Sequence, residues 1–256
     1  MDFFKYHGTG NDFILIDNRS ANIQLTTTQI AHLCSRHFGI GADGLMLLEH
    51  AEGFDFRMVY YNSDGGESTM CGNGGRCMVA FAQLLGIVGD KADFLAIDGA
   101  HQATISPDGM INLHMNDVKG IESQPGFSIL NTGSPHFVQF VPDVNVIDVF
   151  HEGKKIRHLS QYQPGGINVN FVQLHEGKLK VRTYERGVED ETLSCGTGVT
   201  AAAIAATAMF EGIFATDIET PGGHLVVTFT KDTGTTAKDV VLTGPAVFVF
   251  KGAISI

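Results

Sequence analysis

The chain has 256 residues, of which 43% are hydrophobic and 18% charged, with 28 acidic against 17 basic side chains for a formal charge of -11. This composition suits a folded, loop-rich protein and argues against disorder; the acidic balance, with no Lys/Arg cluster, argues against nucleic acid as a partner. No run approaches the roughly 20 apolar residues of a membrane span, and the opening MDFFKYHGTG has neither the basic nor the apolar region of a signal peptide. A cytoplasmic protein of one large or two smaller domains is expected.

Hydrophobic periodicity predicts strands in the first half near 12–17, 45–50, 55–61, 93–97 and 110–115, with helices near 27–37 and 73–86. The second half predicts strands near 136–141, 168–175, 179–185 and 224–230, with helices near 146–159 and 197–211. The halves also echo each other in residues. HGTGNDFILID at 7–17 matches NTGSPHFVQFV at 131–141, Thr9-Gly10 answering Thr132-Gly133 at an offset of 123. YYNSDGGESTMCGNG at 60–74 matches YERGVEDETLSCGTG at 184–198, pairing Tyr60 with Tyr184, Glu67 with Glu191 and Cys71 with Cys195 at an offset of 124. Two ordered anchors at nearly constant offset, differing by a single inserted residue, read as an internal duplication. Two similar domains are then expected, with a small-molecule site between them to which each half gives one cysteine.

The four cysteines, at 34, 71, 77 and 195, are too few and scattered for a disulfide framework. Cys71 and Cys195 each open a glycine turn that runs into an apolar or Ala-rich helix, Cys71-Gly72-Asn73-Gly74 and Cys195-Gly196-Thr197-Gly198. Such a turn brings backbone close to a ligand, its free amides suit a carboxylate, and the positive end of the helix favours a thiolate. Two thiols, one accepting a proton and the other donating one, would carry out 1,1-proton transfer at a carbon beside that carboxylate. Oxidation to a Cys71–Cys195 disulfide would remove both groups and give an inactive form.

Other chemistries fit less well. Zinc would need closely paired ligands, whereas five residues separate Cys71 from Cys77, so no metal is expected; Cys34 and Cys77 read as buried apolar side chains. GIGADG at 39–44 spells a dinucleotide fingerprint, but a helical stretch precedes it and strand-like LMLLEH follows, the reverse of the required context. With no Walker sequence and no Lys singled out for a Schiff base, no cofactor is expected. A non-catalytic amino-acid-binding protein and a nucleotide-dependent oxidoreductase remain as alternatives.

HGTGNDFILID, FGIGADGL, YNSDGGESTMCGNGGRC, TGSPHFV, INVNFV and YERGVEDETLSCGTG, in this order and over nearly the whole chain, resemble the diaminopimelate epimerases. The resemblance implies an α/β (α+β) fold of two pseudo-symmetric domains, each a mixed β-sheet curled around a central helix: 1–116 with a returning strand at 246–256, and 117–245. It implies a cofactor-independent homodimer that interconverts LL- and meso-diaminopimelate on the route to lysine and peptidoglycan, a small amino acid being the partner. By position it makes Cys71 and Cys195 the acid/base pair, with Cys71 labelled donor and Cys195 acceptor. It places Gly72-Asn73 and Gly196-Thr197 on the reacting carboxylate, Asn11, Asn62, Asn168, Glu185 and Arg186 on the substrate's amino and carboxylate groups, and His136 and Glu185 as tuners of the thiols. Gly44, where a Gln is frequent, and Ser134, where Asn is common, depart from the pattern and bear on substrate grip. Proline and hydroxyproline racemases share the cysteine pair and form the nearest alternative.

Overall fold

A computed structural model describes residues 1–255. The first half runs β1 (Asp2–Gly8), β2 (Asn11–Asp17), α1 (Thr27–Cys34), β3 (Gly44–Glu49), β4 (Phe56–Asn62), β5 (Glu67–Ser68), α2 (Gly72–Leu84), β6 (Lys91–Ala96), β7 (Gly99–Ile105) and β8 (Ile111–His114). The second half continues with β9 (Ile121–Gln124), β10 (Phe127–Asn131), β11 (Pro135–Phe140), α3 (Val149–Arg157), β12 (Asn168–His175), β13 (Lys178–Glu185), β14 (Asp190–Thr192), α4 (Gly196–Ala206), β15 (Gly212–Thr220), β16 (Gly223–Lys231) and β17 (Lys238–Gly244), and β18 (Val247–Ala253) ends it. Two compact units result: Met1–Leu113 with the chain from Gly244 onward, and His114–Thr243.

In the first unit β1 pairs antiparallel with β2 and β2 parallel with β3; β3–β4 is antiparallel, β4–β6 parallel, and β6–β7–β8 antiparallel. The second unit repeats this series step for step with β10, β11, β12, β13, β15, β16 and β17. The short strands β5 and β14 fold back on β4 and β13, and β18 flanks β1 as β9 flanks β10. The duplication is thus built into the strand pairing. The register also locates the inserted residue: Tyr184 faces Glu191, but Glu67 faces Tyr61. Tyr61, rather than the Tyr60 of the linear match, is therefore the ladder counterpart of Tyr184, and both pack against the helix on the outer face of their sheet.

Each sheet wraps a helix buried nearly all round. In α2, Cys77, Met78, Val79, Phe81 and Ala82 are buried, and in α4 Val199 to Ala205 are buried without interruption. A helix apolar on every side belongs inside a core, and the run of alanines in α4 lets strands approach from several directions. The opposite faces are covered by α1, through Ile30 and Leu33, and by α3, through Val149. Strand β12 is accordingly buried on both faces over Asn168–Phe171, with Val169 and Phe171 toward α3 and Val172 toward α4.

The expected helices are all present, somewhat shorter; the one expected at 146–159 starts as a 3-10 turn at Val144–Val146 before α3. The strands β1, β5, β7, β9, β10, β14, β15 and β17 were not expected. β15 shows why, because most of its residues are exposed or half-buried and give little apolar alternation to read.

Candidate active site

In the first unit Cys71 is the N-cap of α2, and its side chain makes no capping bond. The opening amides of a helix point out of its end, so the first turn of α2 has a geometry that suits an anion. Cys71 Sγ lies 3.7 Å from Asn11 Oδ1, and Asn73 Nδ2 donates to the same oxygen at 3.3 Å. Asn11 is turned this way because its Nδ2 donates to Asp43 Oδ2 at 2.7 Å. Arg36 holds Asp43 (2.7 Å) and also Asp12 (2.8 Å), which pairs with buried Lys5. GIGADG thus lies in the loop after α1 and its last residue opens β3, the reverse of the strand-to-helix context of a dinucleotide fingerprint, and its Asp43 bonds Asn11.

Behind the turn stands Arg76, fully buried. It donates to Asn73 Oδ1 (3.0 Å), Thr9 Oγ1 (3.4 Å), Gly72 O (3.3 Å) and Pro245 O (3.3 Å). Burial pushes its pKa down, while the Cys77 and Cys71 thiols act against that shift. Thr9, buried and left-handed at φ 50°, also donates to Asn73 Oδ1 at 3.4 Å. Asn62 ends β4 with an exposed side chain, and its backbone closes the turn to Gly65 and Gly66.

In the second unit Cys195 is the N-cap of α4 and is 6% exposed. Its Sγ is 3.5 Å from Thr197 Oγ1, which is 2.9 Å from His136 Nε2. His136 is fully buried, and burial, assisted by the Arg186 charge, lowers its pKa to about 3. The imidazole is therefore neutral and reaches the sulfur through a hydroxyl. Thr132 Oγ1 donates to Thr197 O at 2.8 Å, so each Thr of the Thr-Gly echo anchors the residue two past its cysteine.

Asn168, Arg186 and Ser134 form one cluster. Asn168 Nδ2 and Arg186 Nη2 both donate to Ser134 Oγ, at 2.9 and 3.2 Å, and Asn168 Oδ1 accepts from the Arg186 amide at 2.8 Å. Ser134 thus fixes two of the residues expected to hold substrate. Glu185 accepts from Thr192 Oγ1 at 3.0 Å. Gly44 faces Asn62 across the ladder, and a Cβ on it would sit 2.5 Å from Tyr60 Cε2 and 2.7 Å from Tyr61 O. The aromatic ring of Tyr60 fills the space that a side chain at position 44 would need.

Cys34 and Cys77 are buried, and burial pushes their thiols up to about 11 and about 12. They are packing residues with no accessible thiolate. Among the described residues no three His, Cys, Asp or Glu side chains converge as a metal site. Thr9, Asp43, Arg76, Thr132 and Asn170 complete the site networks and were not singled out from sequence. Only the Thr-Gly echo had signalled any of them.

The family model described as "Diaminopimelate epimerase" matches residues 3–120 and 128–249, one match to each repeat. The chain belongs to the diaminopimelate epimerase family. A diaminopimelate epimerase of Flavobacterium psychrophilum is 52% identical over 99% of this chain and 100% of its own length, and one of Chlorobaculum tepidum is 41% identical over 97% and 99%. Among solved structures, a phenazine biosynthesis protein of the PhzF family from Bacillus anthracis aligns with a TM-score of 0.75 at 16% identity, over 100% of this chain and 99% of that one. A hydroxyproline epimerase from Agrobacterium vitis aligns at 0.72 and 15%, over 98% and 91%. At these identities the two likenesses describe the fold alone.

Proposed function

We propose that the chain interconverts LL- and meso-diaminopimelate by 1,1-proton transfer between two cysteines without a cofactor. The family supplies the substrate. The observation that carries the mechanism is the repeated placement of a cysteine as N-cap of a buried helix, Cys71 on α2 and Cys195 on α4. Each cap joins a thiol to the opening amides of a helix, whose geometry suits the carboxylate beside the reacting carbon as carbanion charge develops. One thiolate removes the α-proton, the other thiol returns one, and the roles exchange in reverse. Asn11 and Asn73 in one unit, and Asn168, Glu185, Arg186 and Thr197 in the other, are assigned to binding; the Asn62 amide is assigned to the same task. His136 and Glu185 are assigned to tuning the thiols.

The active form in this reading is a cytoplasmic homodimer. Its support is the acidic charge of -11 and the apolar strand β18, where Val247, Phe248, Val249 and Phe250 are 41–50% exposed. Among the described residues no helix is long and apolar enough to cross a membrane. Incubation of the reduced protein with LL-diaminopimelate in D₂O, with nothing added, is expected to place deuterium at one α-carbon and yield the meso isomer. Absence of exchange would overturn the reading, and exchange into proline instead would favour the racemase alternative.

A further inference from the structure

We infer that Asn170 is a positioning residue that sets the tautomer of His136 and so turns the Thr197 hydroxyl hydrogen toward the Cys195 sulfur. The inference rests on the two-cysteine reading above and adds to it the device that prepares Cys195 as a base.

The direction of every bond in this chain follows from partners that can play only one part. Asn170 is fully buried on β12. One end of its amide is 3.0 Å from the Phe137 carbonyl, which can only accept, so that end is Nδ2. The other hydrogen of Nδ2 points to His136 Nδ1 at 3.1 Å, while Oδ1 accepts from the Thr183 hydroxyl at 2.9 Å. The first turn of α4 lies close against this amide: a Cβ at Gly198 would come within 2.4 Å of Asn170 Oδ1, so only glycine fits there. With its Nδ1 lone pair engaged and the ring neutral, His136 carries its proton on Nε2. Nε2–H donates to Thr197 Oγ1 at 2.9 Å. The single hydroxyl hydrogen of Thr197 is then free to point at Cys195 Sγ, 3.5 Å away.

A donor aimed at sulfur favours the thiolate over the thiol. The charged side chain bearing on the chain of bonds is Arg186, whose charge acts on His136; α4 carries none. Asn170 thus replaces the acidic partner that often orients a catalytic imidazole with a neutral one, and the ring stays uncharged.

Nitrogen-15 NMR of the ligand-free, reduced protein reads the tautomer directly and is expected to show His136 protonated on Nε2. Peptide-resolved alkylation by iodoacetamide reads the sulfur. Asn170→Asp, which can only accept from the ring, is expected to move the proton to Nδ1 and to slow Cys195 alkylation at neutral pH about 10-fold, a shift of about one pH unit. Thr197→Val is expected to slow alkylation similarly while leaving the tautomer in place. Wild-type His136 protonated on Nδ1, or unchanged Cys195 alkylation in Thr197→Val, would overturn the inference. Neither measurement involves substrate, so wild-type protein that shows both signatures yet exchanges no deuterium would sink only the assigned function.

Discussion

Arg76 and Thr200 occupy equivalent places in the two buried helices, and each bonds the carbonyl of the glycine that follows the cysteine: Arg76 Nη1 to Gly72 O at 3.3 Å, Thr200 Oγ1 to Gly196 O at 2.9 Å. The repeat has kept the hydrogen bond and changed the charge. Behind Cys71 stands a buried guanidinium; behind Cys195 stands the neutral hydroxyl of Thr200, while the neutral His136–Asn170 pair bonds Thr197.

The charge difference can be read in reactivity. A buried cation favours a neighbouring thiolate, so Arg76→Met is expected to slow Cys71 alkylation at neutral pH several-fold and leave Cys195 alkylation unchanged. Losing the donor to Asn73, Thr9 and Gly72 is expected to cost about 2–3 kcal/mol, read by denaturant unfolding.

Either cysteine alone is insufficient for the proposed proton transfer. Cys71→Ser and Cys195→Ser are each expected to lower epimerisation at least about 100-fold, assayed by deuterium uptake, with circular dichroism unchanged. A variant that kept its turnover would remove that sulfur from the mechanism.

His136 ties stability to pH. Its pKa lies at about 3 in the fold against 6.5 for the free side chain, because burial opposes the charged form. A group whose pKa is depressed by folding contributes stability that is present above 6.5 and is lost as pH falls toward 3. Unfolding free energy measured across that interval should fall by about 4 kcal/mol on this account. His136→Gln should flatten the dependence.

Gly44 tests whether the Tyr60 ring excludes a side chain. Gly44→Gln is expected to destabilise the protein by about 1–3 kcal/mol, since the new Cβ would meet Tyr60 Cε2 at 2.5 Å. Tyr60→Ala in the same chain should recover part of the loss, leaving the conflict with the Tyr61 carbonyl at 2.7 Å. Additive losses in the double variant would show that the ring is not the obstacle.

What was legible in sequence was local. The glycines after Cys71 and Cys195, the apolar runs behind them and the echo of Thr9-Gly10 in Thr132-Gly133 lie within a few residues of one another. They were enough to expect a duplicated α/β chain with two helix-capping thiols. The one-residue slip between Tyr60 and Tyr61 was not legible, because only strand register distinguishes the two faces of a hairpin.

By itself, then, the sequence determined the duplication, the helix starts and the chemical character of the two cysteines, since these depend on residue type and short spacing. Only the tertiary structure decided which side chains complete each thiol's surroundings. Asn11 meets Asp43 across 32 positions, Asn73 meets Asn11 across 62, and Asn170 meets His136 across 34. Parallel pairing of β2 with β3 and of β11 with β12 brings the first and last of these pairs together, packing of α2 on β2 brings the other, and donor and acceptor roles follow only once each partner is known.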